Sequence, residues 1–292
     1  MTYNLVLPHK TVLRKWLDLD RNLKPYYPVC KNLIVDFKYL IFLEPNHLVI
    51  LACSLEQFYR NNCQISFINL HPKLKRYLED VNYMQYFSCN NTRPKFTDTK
   101  INTSIPIWNI QRNEISSYSL FAKDFFTNNF FKTRDLLILQ SNLEEVFNNI
   151  FDHSHSPING FITTQFFPRK NQILCSICDV GTGIADKVNK DKKEKNQPLV
   201  DDSKAIEIAT TEGYSTRSTP QNRGLGLYYI LNIPKFEQGK VSIWANNGSY
   251  HNYMNQTLTS ETGYSFSGTL INITIDTNTL DERDDDEDEY KF

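Results

Sequence analysis

Residues 141–153 constrain this chain more than any other stretch. Leu143, Val146, Phe147, Ile150 and Phe151 recur at i, i+3, i+4, i+7 and i+8, the apolar stripe of an α-helix that must be buried against a second layer. On the far side Glu145, Asn149 and His153 follow at i, i+4 and i+8, stacking a carboxylate, an amide and an imidazole one turn apart. Taken alone, that polar row is an ordinary solvent face. The second layer comes next in the chain: residues 160–167 and 172–178 read as two strands joined by Pro168-Arg169-Lys170-Asn171, a hairpin on which the helix can lie.

The second strand runs into Asp179-Val180-Gly181-Thr182-Gly183. An Asp at a strand end, followed by two alternating glycines, predicts a tight turn where backbone can approach a flat ligand. Its carboxylate could accept a charge-assisted hydrogen bond from an exocyclic amine. Further on, Asn222-Arg223-Gly224-Leu225-Gly226-Leu227 sets two glycines before an apolar helical stretch. Bare N–H groups at such a helix start can cradle phosphate. No Gly-Lys-Ser/Thr follows, so this is not a Walker A loop, and no strand abuts it as a dinucleotide fingerprint requires. Residues 239–245 and 267–275 read as two more strands, the second headed by Gly268-Thr269. Each of these strings, by itself, is ordinary turn or sheet.

In order and spacing, the four elements resemble the GHKL ATPase superfamily of gyrase, heat-shock-90-type chaperones, histidine kinases and MutL. Glu145, Asn149 and His153 match its N box, Asp179, Gly181 and Gly183 its G1 box, and Gly224 and Gly226 its G2 box. Gly268-Thr269 matches the late Gly-Thr strand, and Glu212-Gly213-Tyr214-Ser215-Thr216-Arg217 resembles the end of the ATP lid. The resemblance spans about 115–278. It implies a two-layer α/β sandwich with a mixed sheet that takes ATP and Mg²⁺. Asp179 would accept from the adenine amine, Asn149 would hold Mg²⁺ through its amide oxygen, and Gly224, Leu225 and Gly226 would offer N–H groups to the phosphates. Arg217 or Arg223 would neutralise charge there; His153 and Thr269 would line the nucleotide site, and Glu145 would be the general base of hydrolysis.

The N-terminal hundred residues alternate strand-like and helix-like segments, an α/β order. Residues 33–37, 39–43 and 64–70 read as strands, 48–58 and 72–81 as helices, and 83–87 as an aromatic patch. Over roughly 30–90 the pattern resembles a STAS-type module, with Glu44-Pro45-Asn46-His47 at the turn where regulated members carry a phosphorylatable Ser or Thr. Residues 90–112, rich in Asn, Thr and Pro, read as a connector. The expected organisation is a STAS-like domain and linker over 1–112, a GHKL domain over 113–280, and a tail over 281–292.

Charge and cysteine usage bound the function. The formal charge of −1 divides unevenly: residues 281–292 hold eight acids against Arg283 and Lys291, a net −6, leaving the body at +5. Such a run stays solvated, unless it visits a basic site in the body. Cys175 and Cys178 form a Cys-x-x-Cys inside a strand, where positions three apart face opposite ways, so a small-hydrophobe role in the core is expected rather than metal or redox chemistry. No run approaches the ~18 apolar residues of a membrane span and no secretory leader is visible, which argues for a cytoplasmic protein off the membrane. In the expected lid, about 185–223, Lys187, Lys190, Lys192, Lys193 and Lys195 are interleaved with Asp186, Asp191 and Glu194 and have no aromatic platform. That pattern argues for a solvated, mobile lid and against nucleic acid. Three functions fit: a slow Mg²⁺-dependent ATPase whose lid governs a protein partner, a serine/threonine kinase of the anti-sigma-factor type, and a non-catalytic ATP-gated module. The sequence leaves a homodimer open.

Overall fold

A computed structural model describes residues 1–88, 92–211, 214, 227, 239–253 and 256–283, without the side chains of Asp152 and His153. Three short segments, β1 (Thr2–Val6), β2 (Asn32–Asp36) and β3 (Gln64–Ile68), pair in that order as a parallel sheet. Helices fill the connections: α1 (Leu13–Leu17), α2 (Leu19–Leu23), α3 (Pro45–Arg60), then α4 (Pro72–Asp80) and α5 (Tyr83–Tyr86) beyond β3. Residues 39–43, expected as strand, are turn and coil instead. Pro45 stands at the helix start just beyond them, and the extended Glu44 closes a capping box with His47 that begins α3 there. That local chemistry outweighs the β-propensity of Tyr39 and Ile41.

Helix α3 is the centre of the molecule. Leu48, Val49, Leu51, Ala52, Cys53, Leu55 and Phe58 point all round its axis, yet each is fully buried. A helix apolar on every side lies between two layers. One layer is the parallel sheet. The other is a five-stranded sheet of β4 (Ser104–Asn109), β5 (Gly160–Phe167), β6 (Gln172–Asp179), β7 (Lys240–Tyr253) and β8 (Gln256–Asp276), ordered β4-β5-β6-β8-β7. A single apolar cluster joins α3 to Phe161, Cys178, Phe266 and Leu270 of this sheet.

Its opposite face carries Ile162, Ile173, Cys175, Ile177, Ile271 and Ile273, packed under α6 (Ile115–Phe130) and α7 (Leu137–Asn149) with Leu143, Val146 and Phe147. The period-2 alternation thus sends Cys175 to one core and Cys178 to the other; both are buried free thiols. All four pairings of this sheet are antiparallel. The expected mixed sheet is therefore not what forms among the described residues, although an antiparallel sheet backed by helices is compatible with a GHKL-type sandwich. Residues 104–109, expected within the connector, form its edge strand, where Ser104, Ile105 and Ile107 are buried.

Beyond β6, α8 (Ile184–Glu194) and α9 (Asp202–Ala209) bury Ala185, Val188 and Ala205 against each other. The α9 end is tied to β7 by the Asn247 N–H, which donates to Asp202 Oδ2 at 2.9 Å. The described part of the expected lid is thus packed helix. Lys190, Lys193 and Lys195 are exposed, Lys187 and Lys192 half-buried, and a few small apolar positions suffice to anchor it. Among the described residues no helix is long and apolar enough to cross a membrane.

Candidate functional site

The site is built where α7 and β6 end together. Leu139, Leu143, Val146 and Phe147 seat α7 on the sheet and leave Glu145 and Asn149 half-buried on its other side. The Asn149 Nδ2 donates to Glu145 Oε1 at 3.3 Å, so its amide oxygen faces away from that contact. After Asn149 the helix widens into a π turn, Ile150–Ser154. Such widening shifts the phase of an α-helical row. The i+8 position of His153 is set by this turn rather than by the α repeat, and its side chain lies outside the described residues.

Asp179 is the last residue of β6 and is only 2% exposed. Its Oδ1 accepts the Gly181 N–H at 2.8 Å, which folds the turn. Burial pushes its carboxyl up to about 7, against the opposing pull of that N–H. The glycines are demanded by contact. A Cβ on Gly181 would lie 2.1 Å from the Ser154 carbonyl oxygen, and the neighbouring Thr182 N–H donates to that same oxygen at 2.5 Å. The turn after Asp179 is therefore pressed against the end of the helix that carries Glu145 and Asn149. Gly268, at φ +145, would bring a Cβ to 2.1 Å from the Asp179 carbonyl oxygen, and Thr269 beside it pairs with Asp179 in register and is buried. Gly183 caps the start of α8 and lies against Asn246, whose buried Oδ1 has no partner among the described residues.

The site is also held from behind. The Cys53 thiol of α3 donates to the Cys178 carbonyl at 3.3 Å, one residue before Asp179. At the C-terminal end of α3, Arg60 Nη1 donates to the Pro157 carbonyl in the loop between the π turn and β5. A Lys187 Nζ to His155 Nε2 contact of 3.1 Å ties α8 to the same loop.

Of the residues singled out in the sequence, Asp179, Gly181, Gly183 and Thr269 thus meet at one end of the sheet, and Glu145 and Asn149 lie on the helix whose π-turn extension, at Ser154, touches that turn. Arg217, Arg223, Gly224, Leu225 and Gly226 lie outside the described residues, as does most of the stretch 212–217. Sequence reasoning overlooked Ser154, Asn246 and Cys53. Asn246-Asn247-Gly248 carried a signal, since such a string inside a strand pattern marks an irregularity, and Asn246 does take a positive φ of 54 there. The Ser154 contact is made by backbone and leaves no side-chain signature.

Among the described residues no group of three or more His, Cys, Asp or Glu could hold a metal by itself. A cation at Asn149 would draw the rest of its oxygens from elsewhere, as Mg²⁺ bound with phosphates and water does. That donor chemistry, an amide oxygen beside a carboxylate, fits Mg²⁺.

No protein-family model matches the chain, and no curated protein matches it. Among solved structures, it is similar to the topoisomerase IV ATP-binding domain of Francisella tularensis in complex with a small-molecule inhibitor. That match has 12% identity, covers 65% of this chain and 47% of that one, and has a TM-score of 0.27. It is also similar to the B subunit of DNA gyrase from Myxococcus xanthus, at 9% identity, covering 49% and 39%, with a TM-score of 0.22. The chain spans less than half the length of either. Likeness this faint decides neither fold nor ligand.

Proposed function

We propose that this chain is a GHKL-type protein that binds Mg²⁺-ATP at the joint of α7 and β6 and hydrolyses it slowly. The supporting observation is that joint itself: a nearly inaccessible carboxyl at a strand end, in a turn that only glycine allows, pressed onto the end of the helix bearing Glu145 and Asn149. A buried carboxylate is stable only where donors reach it. One backbone N–H is present, and an adenine amine would supply a second.

In this reading Asp179 selects the base and Thr269 supports the same pocket. Asn149, its amide nitrogen turned to Glu145, offers its oxygen to the cation. Mg²⁺, when bound, supplies charge neutralisation for the triphosphate. Glu145 accepts the proton of an attacking water, and the Asn149 contact keeps its carboxylate oriented. Gly224, Leu225 and Gly226 take the phosphates, with Arg217 or Arg223 and His153 beside them. Helices α8 and α9 belong to the lid, whose state governs a protein partner.

The reading predicts that Glu145→Ala keeps ATP binding in calorimetry and loses ~10²-fold or more in turnover. Unchanged turnover removes Glu145 from the chemistry. Following γ-labelled phosphate separates the function classes: free phosphate supports the ATPase, label on a protein supports the kinase to which a STAS-like N-terminal layer would be suited, and neither leaves a binding module.

A further inference from the structure

We propose that the acidic C-terminal run of this chain, residues 284–292, docks intramolecularly on a lysine-bordered aromatic patch at the carboxyl ends of the parallel strands. Val6 and Ile68 end β1 and β3 there, both exposed, and the turn after β2 adds Tyr39 at 60%, Ile41 at 63% and Phe42 at 40% exposure. Exposed apolar side chains brought to the same end of a sheet are the kind of surface that marks a contact site.

The border of the patch is basic. Lys38 Nζ lies 4.7 Å from the centre of the Tyr39 ring and Lys10 Nζ 5.2 Å from that of Phe42. Neither lysine forms a salt bridge among the described residues; Asp36 attracts the Lys38 side chain without direct contact, and both acids closest in sequence are bound to other groups. Asp36 accepts from the Lys38 N–H and from Asn69, and Glu44 is held in the capping box of α3. Apolar rings rimmed by lysines suit an acidic segment that carries its own aromatics.

The chain contains one. Asp284-Asp285-Asp286-Glu287-Asp288-Glu289 is followed by Tyr290-Lys291-Phe292, and the run from 281 onward is −6 beside a body of +5. Its point of departure is also near. The Arg283 N–H donates to the Thr133 carbonyl at 2.9 Å, just beyond Phe130 and Phe131, whose rings lie 4.7 and 5.0 Å from that of Phe166. The adjacent residue of β5, Gln165, accepts the Tyr77 hydroxyl at 3.0 Å, and the Tyr77 ring lies 6.0 Å from that of Phe42. The tail's root and the patch therefore flank neighbouring residues of one strand near the β4 edge. Nine residues extend to ~30 Å, enough to pass round that edge. The lysines of α8 are the competing basic surface, but they lie past the Asp179 end of β6, ~23 Å along the strand from its Gln172 end.

The test uses the full chain, a version ending at Arg283, and a fluorescent peptide of residues 281–292 as the probe. The truncated protein should bind the peptide saturably, and the full chain at least tenfold more weakly because its own tail competes. Lys10→Glu with Lys38→Glu, or Tyr39→Ser with Phe42→Ser, should weaken binding to the truncated protein fivefold or more. All four side chains are exposed or lie at the surface, so unchanged melting temperatures are expected and serve as the control. Absence of saturable binding overturns the proposal. So does binding that survives both double variants but is lost with Lys190→Glu and Lys193→Glu on α8, and so does a concentration-dependent dimer of the full chain that truncation abolishes. None of these results depends on whether the α7–β6 joint binds ATP.

Discussion

Replacing Asp179 by Asn should stabilise the unliganded protein while weakening its hold on nucleotide. Asn keeps the shape and an oxygen to accept the Gly181 N–H, but not the charge. In the folded chain the carboxyl is pushed from 3.8 to about 7 by burial. A folded-state value above the unfolded one means that the native state holds the proton more tightly. The stability that this proton brings is complete below pH ~4 and is lost as pH rises to ~7. The full loss amounts to ~4 kcal/mol, with ~1.4 kcal/mol for each pH unit inside the window, as an upper limit because local relaxation softens the penalty. Urea unfolding of both proteins at pH 4.5, 5.5, 6.5 and 7.5 should therefore show the Asn variant gaining on the parent as pH rises, then a plateau. Calorimetry at pH 7.5 should show the reverse for ATP, roughly ten- to a hundredfold weaker, since a hydrogen bond to a charged group contributes ~1.5–3 kcal/mol. A stability difference that stays constant across the four pH values would refute the buried-carboxylate argument. Unchanged ATP affinity would refute its role in recognising the base.

Two further substitutions probe the joint and the scaffold behind it. Gly181→Ala sets a Cβ against the Ser154 carbonyl, a backbone atom that cannot swing aside, so thermal unfolding should register a loss of ~2 kcal/mol or more and ATP binding should fall at least tenfold. A variant as stable as the parent would show that the turn and the helix end are free to separate. Arg93→Met removes a guanidinium that donates to both oxygens of the buried Glu56 at 3.2 and 2.7 Å and stacks 3.7 Å from the Tyr59 ring centre. Glu56 keeps Arg60, so denaturant unfolding should show ~3 kcal/mol lost, the lower end for a broken buried pair. A loss below 1 kcal/mol would mean that water reaches Glu56.

Local pattern made several elements legible in advance. The 3.6-residue stripe of α7, the hairpin of β5 and β6, and the alternation that buries Cys175 and Cys178 on opposite faces are properties of a few consecutive side chains, and they appear where periodicity puts them. The N-terminal helices expected at 48–58, from apolar three/four spacing, and at 72–81 appear as Pro45–Arg60 and Pro72–Asp80, each begun by a proline. Residues 39–43 misled because exposed Tyr and Ile look like strand when read alone, and residues 104–109 because an edge strand entered from an Asn- and Pro-rich segment looks like linker.

What the chain alone determined is therefore its list of layers and its candidate polar residues, since helix stripes, alternations and glycine spacings are set within a dozen neighbours. Only the folded molecule decided that α3 is shared by two sheets, that the described strands of the second sheet all pair antiparallel, and that the Ser154 carbonyl meets Gly181. Those contacts join segments far apart in sequence, often through main-chain atoms common to every residue type. No order of side chains can spell out a backbone carbonyl's partner; close packing in three dimensions selects it.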